Sequence, residues 1–243
     1  MNIKLLSAVA LSFIAMSCSL KDESNKTDKS SQEPPVSRET TVEDDQVFAY
    51  MLGTQFGRQG VENAPYQIGA HLDVDAVVQG ILDAANGKPQ MDENAEKAVD
   101  SIYNVIVTER MEKLRPDSAT KASFGGDRNK YRAFVDSVNK TLPMEPEIPM
   151  KNEPVTLNEN STFGQKYSYR TGLQLFSIFG SVSKQLEKKL EAESFARGIR
   201  EVAMNIADST ATMWLSEDSL RNINARYVKI MQSIRQEKRS KGN

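Results

Sequence analysis

The stretch Val47-Phe-Ala-Tyr50-Met-Leu-Gly53-Thr-Gln55-Phe-Gly57 decides how the rest of the chain is read, because its skeleton returns as Lys166-Tyr-Ser-Tyr169-Arg-Thr-Gly172-Leu-Gln174-Leu-Phe176. Each copy has a tyrosine, a glycine three residues on and a glutamine two further. In the first copy Val47, Phe48, Met51, Leu52 and Phe56 recur at spacings of three and four, the period of a helix with one apolar side. Ala49, Gly53 and Gly57 form a second stripe of small residues, four apart. Interior glycine costs a helix about 1 kcal/mol relative to alanine. Two of them therefore predict a second helix passing close by; a helix fraying toward Gly57 and Gly60 is the alternative.

Two further elements follow each copy in the same order. Asp73, Asp75, Val77, Gly80 and Ile81 match Glu191, Glu193, Phe195, Gly198 and Ile199, an acidic start leading into an apolar run with a central glycine. Met91, Glu93, Val99, Tyr103 and Val107 then match Leu215, Glu217, Ile223, Tyr227 and Met231 along a long amphipathic helix. Tyr50, Gly80 and Tyr103 stand 119, 118 and 124 residues before their partners, so the register drifts only through loops. A duplicated three-helix unit accounts for this pattern. With aromatics at 7% and long runs of helix-forming residues, the expected fold class is all-α. It comprises two repeated three-helix units with long amphipathic helices, behind a disordered N-terminal tether.

The charge balance, 31 Lys and Arg against 33 Asp and Glu, lacks the basic excess of a nucleic-acid surface. One cysteine and one histidine leave no intrachain disulfide, no zinc cluster and no catalytic triad, so neither a metal nor a cofactor is expected. His71 reads as a loop residue, and the paired carboxylates Asp92 and Glu93 as a helix start. Trp214, the single tryptophan, reads as a packing residue between helices.

Residues 1–17 carry Lys4 and then an apolar run, Leu5 to Met16, that is too short to span a bilayer and right for a signal-peptide core. The run ends Ala15-Met-Ser17-Cys18 and resembles a bacterial lipoprotein signal, with Ala15 where leucine is commoner. That resemblance implies cleavage before Cys18 and a lipid on its sulfur, and Ser19 in place of Asp implies an outer-membrane destination. Lys21-Asp22-Glu23 reads as a solvated charge run, with a lipoprotein surface-export signal as the alternative. Residues 18–44 are polar and rich in Ser, Thr, Lys and Asp, a composition that buries too little to offset ordering. As a flexible coil this tether spans roughly 25 to 30 Å.

Residues 45–140 form the first unit. In it Asn63 to Gly69, with Pro65, reads as a loop, Asp73 and Asp92 as N-caps, and Asn86-Gly87-Lys88-Pro89 as a helix stop. Pro116 and Gly125-Gly126 interrupt the chain before a short helix marked by Tyr131, Phe134, Val135 and Val138. Residues 141–162 hold Pro143, Pro146 and Pro149 at every third position, a semi-rigid polyproline spacer or a peptide ligand. Residues 163–240 form the second unit, closed by a helix that begins at Ser216 and Glu217 and ends in basic residues.

The sequence Tyr50, Gly53, Gln55, Gly57, then Asp73, Asp75 and Gly80, then Gly87-Lys88-Pro89 resembles the domain amino-terminal to FKBP-type peptidyl-prolyl isomerases of the macrophage-infectivity-potentiator type. Asn129-Lys-Tyr-Arg-Ala-Phe134 resembles the segment that ends the family's long helix. The second unit keeps Tyr169, Gly172, Gln174, Glu193 and Gly198, but has Phe176 in place of Gly57 and lacks the Gly-Lys-Pro stop. The resemblance implies an all-helical domain that dimerises by interlocking its first helices and forms a cradle for folding clients. It departs from the family in leaving no room for a catalytic domain, which needs roughly 100 residues of strand.

The expected function is a non-catalytic, lipid-anchored folding factor of the cell envelope, with unfolded or nascent envelope proteins as partners and the membrane reached through Cys18. A peptidyl-prolyl isomerase and a structural assembly protein are the alternatives. Tyr50, Gly53, Gln55, Gly57, Tyr169, Gly172, Gln174 and Phe176 are expected at a packing interface resembling the family's dimer, made within one chain or between two.

Overall fold

A computed structural model describes residues 38–241. The expected signal peptide, Cys18 and nearly all of the expected tether lie outside the described residues. Within them the chain is all-α, without strands: α1 (Val42–Ile68), α2 (Val74–Ala85), α3 (Glu93–Lys113), α4 (Ser118–Ser123), α5 (Arg128–Asn139), α6 (Phe163–Leu186), α7 (Ala192–Ala207) and α8 (Glu217–Lys241).

The helix starts follow from local chemistry. Thr41 caps α1 by accepting from Asp44 N at 3.0 Å while Asp44 Oδ2 accepts from Thr41 N at 2.9 Å, and Thr162 and Gln165 build the same reciprocal box on α6. Asp73 Oδ1 accepts from Ala76 N at 3.0 Å and Asp92 Oδ1 from Ala95 N at 2.8 Å, satisfying donors that a helix leaves free at its start. Glu191, the counterpart of Asp73, is one methylene longer and makes no cap; its carboxylate takes the Ser194 hydroxyl instead.

Asn63 to Gly69 differs from its expectation as a loop. α1 continues through Pro65 to Ile68 and ends at Gly69, whose φ of 67° is left-handed. Proline inside a helix removes a backbone bond and costs about 3 kcal/mol, but Ala64 and Ile68 are buried on either side of it. Their burial against the core holds the last turn in place. The six-residue α4 was not anticipated; it follows Pro116 and is capped by Asp117, which accepts from Thr120 N at 2.7 Å.

The two repeats exchange partners. α1 packs along α7 and α2 along α6, while α8 lies on the first half of α1 and α3 touches both α1 and α6. One core cluster draws on both repeats, with Phe48, Met51, Val77 and Ile81 from the first meeting Phe179, Phe195, Ile199 and Tyr227 from the second. At the crossings backbone meets backbone. A Cβ added at Gly53 would stand 2.0 Å from Phe195 O and 3.1 Å from Gly198 Cα, and one at Gly198 2.2 Å from Tyr50 O. The other crossing mirrors it: a Cβ at Gly172 would stand 2.2 Å from Val77 O and one at Gly80 2.3 Å from Tyr169 O.

Residues 140–162 run without regular secondary structure but are bound along α2. Lys151 N and Asn152 N donate to Asp75 Oδ2 at 2.7 and 3.0 Å, and Val155 N donates to Gln79 Oε1 at 3.3 Å. Asn152 takes a left-handed φ of 58°, which asparagine tolerates better than most side chains.

Gly53→Ala and Gly172→Ala should each destabilise the protein by about 3 kcal/mol or more, because a carbonyl oxygen of the partner helix occupies the space and cannot rotate away. Gly180→Ala is the control. Nothing lies within 4 Å of its added Cβ, so the gain in helix propensity, up to about 1 kcal/mol, should raise the melting temperature by roughly 2 to 4 °C. Denaturant melts of the three variants check both signs.

Candidate functional site: the crossed-helix interface and its groove

Each crossing is sealed by a tyrosine that reaches across to the other repeat. Tyr50 on α1 donates its hydroxyl to Glu201 Oε2 on α7 at 2.6 Å and accepts from Trp214 N at 3.2 Å. Tyr169 on α6 donates to Asp83 Oδ2 on α2 at 2.9 Å and accepts from Gln90 N at 2.7 Å. Asp83 and Gln90 stand 118 and 124 residues before Glu201 and Trp214, so the two constellations are the same one, repeated. Both tyrosines are fully buried. Burial first, and then the neighbouring carboxylate, push both phenols well above the ordinary tyrosine range, which keeps them as neutral donors.

At Glu201, burial pushes the carboxyl up. Hydrogen bonds from Tyr50, Arg197 and Trp214 N outweigh it, and the net effect holds its pKa below the ordinary value of 4.5. Arg197 also lies over the Trp214 ring at 4.5 Å and the Tyr50 ring at 5.9 Å, and Trp214 meets Tyr50 edge-on at 5.2 Å. A second pair of repeats is aromatic: Phe48 stacks on Tyr227 at 3.9 Å, and Tyr167, its counterpart to within the 119-residue offset, stacks on Tyr103 at 5.0 Å.

The residues singled out in the sequence are distributed as follows. Tyr50, Gly53, Tyr169 and Gly172 lie buried at the crossings, each glycine against a glycine of the opposite second helix. Gly57 faces α7, where an added Cβ would stand 2.8 Å from Val202 Cγ1 and 2.9 Å from Ile199 Cα. Phe176 is half-buried beside Phe179 at 6.3 Å, at the edge of the core. Gln174 is half-buried, and Gln55 is exposed and turned away from the packing contact. His71 is a half-buried residue of the loop between α1 and α2.

Gln55 belongs instead to a groove of about 1140 Å³ between α1, the α7–α8 loop and the first half of α8. Its floor is apolar, made by Met51, Leu52, Phe56, Leu215, Leu220 and Met231. The rim carries both signs, with Arg58 3.8 Å from Glu62 and Arg221 3.1 Å from Asp218. Among the described residues no cluster of three or more His, Cys, Asp or Glu could hold a metal, and no helix is long and apolar enough to cross a membrane. The groove thus offers apolar contact and hydrogen bonding.

The described chain is a helical protein whose two halves exchange their first two helices around paired glycines. Residues 45–145 match the model of the domain amino terminal to FKBP-type peptidyl-prolyl isomerase. Over those residues the chain is similar to that domain. No curated protein and no solved structure gives a significant match.

The linkage at Glu201 has a definite sign. A carboxylate whose folded pKa is lowered adds stability above its unfolded value, near 4.5, and loses it as pH falls through the folded pKa. Glu201→Gln should thus cost stability at pH 6, with the gap to the unaltered protein narrowing as pH falls from about 4.5 toward 3. Urea unfolding of both proteins at the two pH values checks it. Tyr50→Phe, which strips Trp214 N and Glu201 of a shared partner, should cost about 1 to 3 kcal/mol at pH 7 by the same method.

Proposed function

We propose that this protein is a non-catalytic folding factor of the cell envelope, anchored by a lipid on Cys18, which holds exposed apolar segments of unfolded or nascent proteins in the groove between α1 and α8. The observation that carries this reading is the groove itself, an open apolar trough of about 1140 Å³ floored in part by Met51 and Met231. The lining also includes Met213, and methionine side chains adapt to occupants of different shape. The similarity of residues 45–145 to the domain amino terminal to FKBP-type isomerases adds support, since isomerases of that kind act on folding polypeptides.

In this reading residues 163–240 are a second, diverged copy of the same domain, and the fused copies reproduce within one chain what two chains of the family build together. The glycine crossings support it, since Tyr50 and Gly53 meet Phe195 and Gly198 in the manner in which Tyr169 and Gly172 meet Val77 and Gly80. Linking two copies makes their pairing intramolecular, at an effective concentration that reaches the millimolar range. The folded unit is a monomer, and its melting temperature should not depend on protein concentration.

Prolyl isomerisation is the second reading, favoured by the family match alone. The family's catalytic fold is built of strands, and residues 38–241 contain none.

Three measurements test the proposal. The full chain should suppress aggregation of a chemically unfolded client, and Leu220→Trp, which fills the groove, should abolish that protection without lowering the melting temperature. It should not accelerate isomerisation of a proline peptide above background; a rate that survives removal of contaminating isomerases would establish the second reading. Cys18→Ala should release the protein from the membrane fraction, and unchanged membrane retention and mobility would end the lipid assignment.

A further inference from the structure

The two repeats differ in how they treat the space beside the tyrosine crossing. In the half built on Tyr169, residues 153–157 of the chain lie there as a segment without regular secondary structure. Val155 N donates to Gln79 Oε1 at 3.3 Å and Leu157 N to Gln90 Oε1 at 2.8 Å, while Gln90 Nε2 donates back to Val155 O at 2.9 Å. The side chains of Val155 and Leu157 pack on the cluster of Met91, Val99 and Tyr169. Beyond them the space is bridged by the ion pair of Arg170 with Asp100 at 2.5 Å.

In the half built on Tyr50 Gln79 and Gln90 are replaced by Arg197 and Trp214, which lie against each other at 4.5 Å outside the groove, while the apolar part of the corresponding space is open. By the repeat offsets Met51 stands where Arg170 does and Asn224 where Asp100 does, so there is no ion pair to bridge the space. Leu215, the counterpart of the buried Met91, is half-exposed and lines the groove. Gln55, Gln59 and Asn224 also line it, and none of their side-chain amides has a hydrogen-bond partner among the described residues.

We infer that the occupant of this groove is an extended apolar peptide segment of a partner chain, bound through its backbone by Gln55, Gln59 and Asn224 as Gln79 and Gln90 bind the chain's own Val155 and Leu157. The inference rests on the client-binding reading above and adds the conformation of the client and the residues that recognise it. The spacing supports it. Gln55 and Gln59 are one helical turn apart, a rise of about 6 Å, close to the roughly 6.6 Å between alternate residues of an extended chain. Amides so spaced address every second backbone group, leaving the side chains of one face to enter the apolar floor, the alternation that Val155 and Leu157 already show. A helical occupant satisfies its own backbone internally and would cover the three amides without supplying them partners, a desolvation cost with no return. An amide reads the backbone of any sequence, so the site selects for extension and aliphatic content. Among the described residues one such site is open, because Val155 and Leu157 occupy the apolar part of its counterpart.

The test uses the full chain and two fluorescent probes: a peptide of about eight residues with valine or leucine at alternate positions separated by threonine and lysine, and an amphipathic helical peptide of about sixteen residues spanning the same length. Fluorescence anisotropy should show the extended peptide binding the unaltered protein, and binding about tenfold or more weaker in the double variant Gln55→Leu, Gln59→Leu. Circular dichroism melts should be unchanged by the double substitution, since Gln55 is exposed and neither amide is bonded. Binding of the helical peptide alone, or of the extended peptide equally well to the double variant, would overturn the inference while leaving client binding intact. If neither peptide binds, the inference falls, and the client-aggregation assay decides whether client binding falls with it.

Discussion

Everything in this fold depends on four places where a side chain would have to be absent. At Gly53, Gly198, Gly172 and Gly80 the backbone of one helix runs against a carbonyl of its partner, with no more than about 2.3 Å left for a Cβ. Close approach of this kind brings two helices near enough for their flanking side chains to interlock and to be shielded from water over a long seam. The tyrosine three residues before each first-helix glycine then falls over the second helix of the other repeat, where its hydroxyl finds a carboxylate and a backbone N–H. Glycine costs helix stability at all four sites, and the contacts made possible by the approach offset that cost.

The exchange of helices between repeats explains why neither half has a core of its own. α1 and α2 bury their apolar faces on α7 and α6, not on each other. The segment joining the repeats is bound to Asp75, Gln79 and Gln90 and contributes Val155 and Leu157 to the smaller of the two clusters. Asp75 has a second role in the crossing, lying 3.9 Å from Arg200 on α7. The connection is thus a packed layer of the fold.

Much of this was legible in the chain because it was written twice. The return of tyrosine, glycine and glutamine at fixed spacing, with an acidic start and a long amphipathic helix after each, fixes the helices and their order, and the caps at Asp73 and Asp92 follow from residue type. What was not legible depended on tertiary context. Pro65 reads as a helix breaker, and only the burial of Ala64 and Ile68 keeps α1 continuous through it. The six residues of α4 are too few to show a period. Gln55 shares its place in the motif with residues that pack, yet it is the member that faces outward, and nothing in one strand of sequence distinguishes it from Tyr50 until the partner helix is in place. The groove was equally hidden, since its walls come from residues more than 140 positions apart.

Two similar but unequal halves in one chain have a consequence that pairing of identical chains cannot have. In a symmetric dimer every substitution appears on both sides of the axis, so a change that closes one binding trough closes the other. Here the matched positions differ: Met51 opposite Arg170, Asn224 opposite Asp100, Gly57 opposite Phe176. One half is closed by an ion pair and by the connecting segment, while the other is open. The molecule therefore lacks the equivalence of its two faces that a two-fold pair has, and a partner meets one face that is filled and one that is open.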